Sequence, residues 1–118
     1  MDNISNRDKI VSQKIMKEIK DINDFICEMT ETDFMNDLKT QKAVVMSLIN
    51  IGELSKSFTS EFIDSKSMIP WKKVQAMRNI AAHKYEVIDM SVVWSTVQIS
   101  ITELKNVLCS DQFGGMHQ

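Results

Sequence analysis

A stretch near the N-terminus decides the fold: residues 7–28 read RDKIVSQKIMKEIKDINDFICE. Apolar residues recur in it at alternating steps of four and three, which predicts an α-helix with one buried stripe. Ser5 or Asn6 is the predicted N-cap, because short polar side chains accept hydrogen bonds from the first free N–H groups of a helix. The stripe consists of Ile15, Ile19, Ile22, Ile26 and, just beyond the stretch, Met29.

Apolar patterns of the same period predict three further helices. Residues 30–33 are predicted to form a turn, and residues 60–69 a loop that contains at most one short helical turn near Phe62. The stripe of the last helix is Val93, Val97, Ile101, Leu104 and Leu108. The three helices are expected from about Phe34 or Asn36 to Phe58, from Pro70 to about Lys84, and onward from Asp89 as N-cap.

The predicted architecture is all-α, an antiparallel up-down bundle of four main helices. Residues 1–109 are expected to form this single helical domain, and residues 110–118 a disordered tail. Gly52 lies inside the second helix, where glycine costs about 1 kcal/mol relative to alanine. We explain it by a close contact with a neighbouring helix at that point.

Composition limits the possible functions. The 118 residues carry a net charge of −2, so bulk charge argues against a non-specific nucleic-acid binder, although a local basic patch remains open. No apolar run is long enough to span a bilayer, and the polar first residues do not resemble a signal peptide, so we expect a cytoplasmic protein without a membrane partner. Cys27 and Cys109 match no metal spacing and are expected to be reduced rather than disulfide-bonded.

The side chains best suited to catalysis or phosphate binding lie within eight positions of one another. They are Arg78, Asn79, His83 and Tyr85. Histidine can accept or donate a proton near neutral pH, and arginine presents a permanent fork of donors to a phosphate. On a regular helical wheel Asn79 and His83 share a stripe outside the apolar face, where Asn79 could orient the imidazole ring. From the spacing alone, a solvated helix end with a chance histidine is the favoured interpretation. Likewise, Glu53 either pairs with Arg78 or only faces solvent.

Three blocks of sequence resemble the HepT-like branch of the HEPN superfamily, whose pattern is Arg, four to six residues, His, any residue and Tyr. This chain has Arg78, four residues, then His83-Lys84-Tyr85, after the lead-in Ile69-Pro70-Trp71. Upstream, Ile51-Gly52-Glu53 resembles the signature of the family's second helix. The chain departs from the family at Leu54, where alanine is common, and in lacking a proline in the last helix.

The resemblance implies a metal-independent endoribonuclease that needs no cofactor and acts on RNA as a homodimer. It also implies an antitoxin partner, a nucleotidyltransferase of the MntA-like kind that attaches AMP to the motif tyrosine. Arg78 and His83 would then be catalytic, Tyr85 the modified residue and Asn79 a supporting residue. The alternative is a catalytically inactive HEPN module that serves as a binding scaffold or a dimerisation domain.

Proton chemistry gives a separate reason to expect two chains. Cleavage by the 2′-hydroxyl of RNA needs one group that accepts a proton and another that donates one. His83 is the only histidine outside the predicted tail, which contains His117. A mechanism with two histidines therefore requires two chains, with their third helices facing each other.

Overall fold

The described part of the chain is helical and contains no strand. The computed structural model describes residues 4–82 and 87–113, with side chains for residues 4–79 and 87–110. Within those ranges a 3-10 helix, Met77–Ala82, continues α5, and a π-helix, Thr96–Ile101, joins α6 to α7. The α-helices are α1 Asn6–Phe25, α2 Glu31–Met35, α3 Leu38–Ser55, α4 Ser60–Ser65, α5 Trp71–Ala76, α6 Met90–Ser95 and α7 Thr102–Phe113.

Four helical units form the bundle: α1, α3, α5 with its 3-10 extension, and the unit that runs from α6 to α7. Helix α3 is central, because it packs against α1, α5 and the 3-10 segment, while α7 packs on α1. This arrangement confirms the predicted all-α bundle. No helix within the described ranges is long and apolar enough to cross a lipid bilayer.

The predicted apolar stripes form the core. Removing such side chains from water is the main favourable contribution to folding, at about 25 cal/mol per Å² of apolar surface. The stripe of α1 is buried between α3 and the C-terminal unit, and the last-helix stripe faces it. The buried members are Ile15, Ile19, Ile22, Ile26, Val44, Leu48, Ile51, Val93, Val97, Ile101, Leu104 and Leu108.

An aromatic cluster fixes the start of α5. The ring of Trp71 lies edge-on to Phe58 at 5.4 Å and to Phe62 at 6.4 Å, measured between ring centroids. Its indole N–H donates to the carbonyl of Lys66 at 3.0 Å, so its polar edge is satisfied as well. Trp71 is thus a core anchor at the start of α5. Trp94 is half-buried, with its ring 5.2 Å from that of Phe34.

Two short helices replace segments that the sequence pattern assigned to a turn and a loop. Helix α2 begins in the predicted turn, because the Thr30 side chain accepts from the Asp33 N–H while the Asp33 side chain accepts from the Thr30 N–H. It inserts the fully buried Phe34 into the core. Helix α4 is capped by Thr59 and buries Phe62. Both helices are too short to show a helical period.

The third predicted helix is regular for a shorter distance than expected. It is α-helical only over Trp71–Ala76, and its continuation through Ala82 is a 3-10 helix. In a 3-10 helix residues three apart align, so a wheel at 100° per residue does not apply beyond Ala76. The predicted shared stripe of Asn79 and His83 therefore loses its basis, and His83 lies outside the described residues.

The C-terminal unit begins as predicted at Asp89, whose side chain accepts from the Ser91 N–H at 3.0 Å. Its apolar residues at 93, 97 and 101 are spaced by four, wider than an α-helical turn. The π-helix over Thr96–Ile101 accommodates that spacing, because each of its turns contains an extra residue. Helix α7 extends to Phe113, past the predicted domain boundary at residue 109.

A buried carboxylate joins the start of α1 to the loop before α4. Asp8 is 3% exposed, and it accepts from the Thr59 N–H at 2.8 Å, the Thr59 hydroxyl at 2.7 Å and the Ser5 hydroxyl at 2.9 Å. Burial acts to raise the pKa of Asp8, but the hydrogen bonds from Thr59 and Ser5 outweigh it. The pKa of Asp8 therefore lies below its ordinary value of 3.8.

We predict that Asp8→Ala lowers the free energy of unfolding by about 1–3 kcal/mol at pH 7, because buried donors lose their charged acceptor. Since folding lowers the pKa, this contribution is complete above about pH 4 and is lost as the pH falls through the folded-state pKa. Urea denaturation at pH 7 and pH 3 would measure it, with Asp8→Asn as the isosteric control. Equal stability of wild type and Asp8→Ala at pH 7 would contradict the assignment.

Candidate active site

Arg78 emerges from the bundle just after a buried stretch. Val74 and Met77 are 3% and 9% exposed and point into the core. Arg78 follows as the second residue of the 3-10 segment, and its side chain is 43% exposed. The neighbouring buried residues thus fix the backbone, while the guanidinium reaches solvent.

Gly52 of α3 lies directly against this backbone. A Cβ built on Gly52 would lie 2.6 Å from the backbone nitrogen of Arg78, 3.0 Å from the carbonyl oxygen of Val74 and 3.1 Å from Cβ of Met77. The first contact is with main chain, which cannot rotate away. Any larger residue at 52 would therefore displace Arg78 or α3. The close contact predicted at Gly52 is confirmed, and its partner is the segment that contains the motif arginine.

The next residue of α3 holds the arginine side chain. Nη1 of Arg78 donates to Oε1 of Glu53 at 3.2 Å. With side chains 43% and 64% exposed, the pair is screened by water and contributes little to stability. Its consequence is orientation of the guanidinium. The sequence left two interpretations open for Glu53, pairing with Arg78 or facing solvent only. In the structure Glu53 forms the ion pair with Arg78.

The arrangement suits recognition of an anion. A guanidinium has five N–H donors in a planar fork, so one bond to Glu53 does not exhaust them. Such a fork can hold a phosphate through two parallel hydrogen bonds. The contact with Gly52 fixes the backbone position of Arg78, and the hydrogen bond to Glu53 fixes the direction of its guanidinium. The arginine is therefore oriented before a ligand binds.

The other predicted site residues are only partly accounted for. Asn79 has an exposed side chain beside Arg78. His83 and Tyr85 lie outside the described residues, so their distances to Arg78 are not given. Lys72 and Lys73 are exposed on α5, on the approach to the 3-10 segment. No group of three or more metal-ligating side chains occurs within the described ranges.

The sequence did not indicate that the close contact of Gly52 and the ion pair of Glu53 involve the same residue, Arg78. A partial signal was present: a glycine inside a helix, followed immediately by a carboxylate. Missed too were Lys14 and Glu18 of α1 and Asn50 of α3, which line a hollow beside Glu53. These residues have ordinary surface patterns and become notable only through the packing of α1 on α3.

Known proteins give an independent comparison. Residues 15–110 match the family model described as Ribonuclease HepT-like. A candidate RNase of Methanocaldococcus jannaschii is 40% identical over 83 residues, covering 70% of this chain and 69% of that protein. A candidate ribonuclease HepT of Thermococcus cleftensis is 38% identical over 93 residues, covering 79% and 84% of the two chains.

A second Methanocaldococcus jannaschii protein, also named as a candidate RNase, is 30% identical over 103 residues and is covered to 94% of its length. The comparison with solved structures gives no significant match. The family model covers most of the chain, and the likeness to these relatives extends over 69–94% of their length. The chain therefore belongs to the ribonuclease HepT-like family.

Proposed function

We propose that the protein is an endoribonuclease that needs no metal ion and acts in the cytoplasm as the toxin of a toxin–antitoxin pair. The observation that supports this best is the orientation of Arg78, the first residue of the Arg-x4-His-x-Tyr motif, by Gly52 and Glu53. Membership of a ribonuclease family supports RNA as the ligand whose phosphates such an arginine would bind.

The proposed reaction is attack of a ribose 2′-oxygen on the adjacent phosphorus. The bond between the 2′-oxygen and phosphorus forms, the bond from phosphorus to the 5′-oxygen breaks, and the products are a 2′,3′-cyclic phosphate and a free 5′-hydroxyl. One His83 imidazole accepts the 2′-hydroxyl proton and a protonated one supplies the proton to the leaving oxygen. Arg78 stabilises the negative charge that builds up on the phosphate oxygens.

The two imidazoles would come from two chains, which makes a homodimer part of the proposal. Asn79 and Glu53 are supporting residues in this scheme: Glu53 holds the guanidinium and Asn79 lies beside it. The competing function, an inactive HEPN scaffold, predicts RNA binding or dimerisation without cleavage.

We predict that purified wild type cleaves RNA with EDTA present, and that His83→Ala and Arg78→Ala each lose activity about a hundred- to ten-thousand-fold. His117→Ala is the matched histidine control and should cleave as wild type. Initial rates on a labelled oligoribonucleotide measure the effect, and circular dichroism verifies folding. Expression in bacteria should stop growth for wild type but not for His83→Ala. Persistent cleavage in both site variants, or its loss on chelation, would refute the mechanism.

Control of the toxin is proposed to act at Tyr85, two residues beyond His83. An AMP group attached there by a nucleotidyltransferase antitoxin would bring a phosphate close to the motif. That anion could pair with Arg78 and occupy the place of an RNA phosphate. The competing interpretation is a tyrosine whose hydroxyl only caps the core.

We predict that the cognate nucleotidyltransferase and ATP add the mass of AMP to wild type and abolish cleavage. Tyr85→Phe should gain no mass and stay active, because it lacks the acceptor oxygen. Intact-mass spectrometry followed by the cleavage assay measures both effects. Silencing of Tyr85→Phe to the same extent would mean that the antitoxin acts by another route, such as covering the site.

A further inference from the structure

A hollow of about 320 Å³ opens between α1 and α3, beside the candidate site. Glu53 belongs to both: its side chain lines the hollow, and its Oε1 accepts from Nη1 of Arg78 at 3.2 Å. The hollow is thus one side chain away from the guanidinium. The residues that line it are Lys14, Lys17, Glu18, Asn50, Glu53 and Leu54.

The inner wall combines an apolar surface with a pair of polar groups. Leu54 is half-buried and packs against the core. Asn50 Nδ2 donates to Oε2 of Glu18 at 3.4 Å, and both residues are half-buried. This bond is long, and an amide and a carboxylate each offer more than one hydrogen-bonding position. The pair can therefore bind a ligand edge while remaining joined.

The rim provides positive charge. Lys14 is exposed and forms no ion pair with any carboxylate of the described residues. Lys17 bonds to Asp21 at 3.3 Å, but its side chain is 75% exposed, so that bond is weak and exchangeable. A phosphate chain passing the rim would meet both ammonium groups, while the carboxylate of Glu18 is half-buried.

We propose that this hollow holds the base of a nucleotide next to the cleaved phosphate in single-stranded RNA, and that it favours bases with an amino group over uracil. The inference rests on the proposed ribonuclease function and adds sequence preference to it. Unstacked bases in single strands are typically read by hydrogen bonds along their edges and by apolar contact with their faces. Leu54 offers the apolar contact, and Glu18 and Asn50 offer the edge contacts.

The preference follows from the acceptor character of Glu18. An ionised carboxylate only accepts hydrogen bonds, so it matches the amino groups of guanine, adenine or cytosine. Uracil presents one ring N–H there between two carbonyl oxygens, so a carboxylate that accepts from this N–H is repelled by a carbonyl oxygen on each side. Because Lys14 and Lys17 face the backbone, they should bind every sequence equally.

The test uses oligoribonucleotides that contain one guanosine, adenosine or cytidine in a uridine strand, together with the all-uridine strand. We expect wild type to cut beside the amino-bearing base about tenfold faster than within uridine. Glu18→Gln keeps the shape but replaces an acceptor with a donor, so it should remove most of this preference. Lys14→Ala should raise KM for all strands alike and weaken its salt dependence.

Lys9→Ala is the matched lysine control, since Lys9 is exposed on the same helix but does not line the hollow. Binding of the same strands with 2′-O-methyl groups, which cannot be cut, separates the two hypotheses. If the protein binds these strands selectively but cleaves none of the unmodified strands, the ribonuclease function is contradicted and the base site is supported. The base site would be contradicted if both wild type and Glu18→Gln cleave RNA and show the same base preference in cleavage and in binding.

Discussion

The contact between Gly52 and the backbone of Arg78 is the constraint on which the candidate site depends. With no side chain at 52, α3 approaches the 3-10 segment so closely that a methyl group would lie 2.6 Å from the arginine nitrogen. The glycine costs helix stability, about 1 kcal/mol against alanine, and the gain is a fixed starting point for the arginine side chain. Glu53, next along α3, then directs the guanidinium.

The remainder of the bundle holds α3 and the 3-10 segment in fixed positions relative to each other. Trp71 is fixed by two phenylalanine rings and by a hydrogen bond to the Lys66 carbonyl, so α5 begins at a defined place. Val74 and Met77 then pack beneath Gly52. On the other side α3 rests on α1, which brings Lys14 and Glu18 next to the same Glu53. One exposed arginine is therefore positioned by contacts that reach through the whole domain.

The sequence predicts the long helices and their caps because each rests on local chemistry: the apolar stripe of α1, Ser5 as N-cap and Asp89 as N-cap. It does not predict α2, and it allows only one short turn where α4 lies, since helices this short show no period and depend on burying Phe34 and Phe62. The 3-10 continuation after Ala76 has no local signal, and with it the wheel that placed Asn79 beside His83 fails. Glycine in a helix signalled a contact, but only the packing identified Arg78 as its partner.

The most direct test that the Gly52 contact positions Arg78 is the kcat of Gly52→Ala on RNA, measured together with the free energy of unfolding of this variant. Alanine improves helix propensity, yet its Cβ must push the Arg78 backbone aside. Displacement of a catalytic group by about 1 Å can cost a hundredfold in rate. We predict a folded protein whose kcat falls at least about tenfold, with KM changed much less. A folded Gly52→Ala protein that cleaves RNA at the wild-type rate would contradict it.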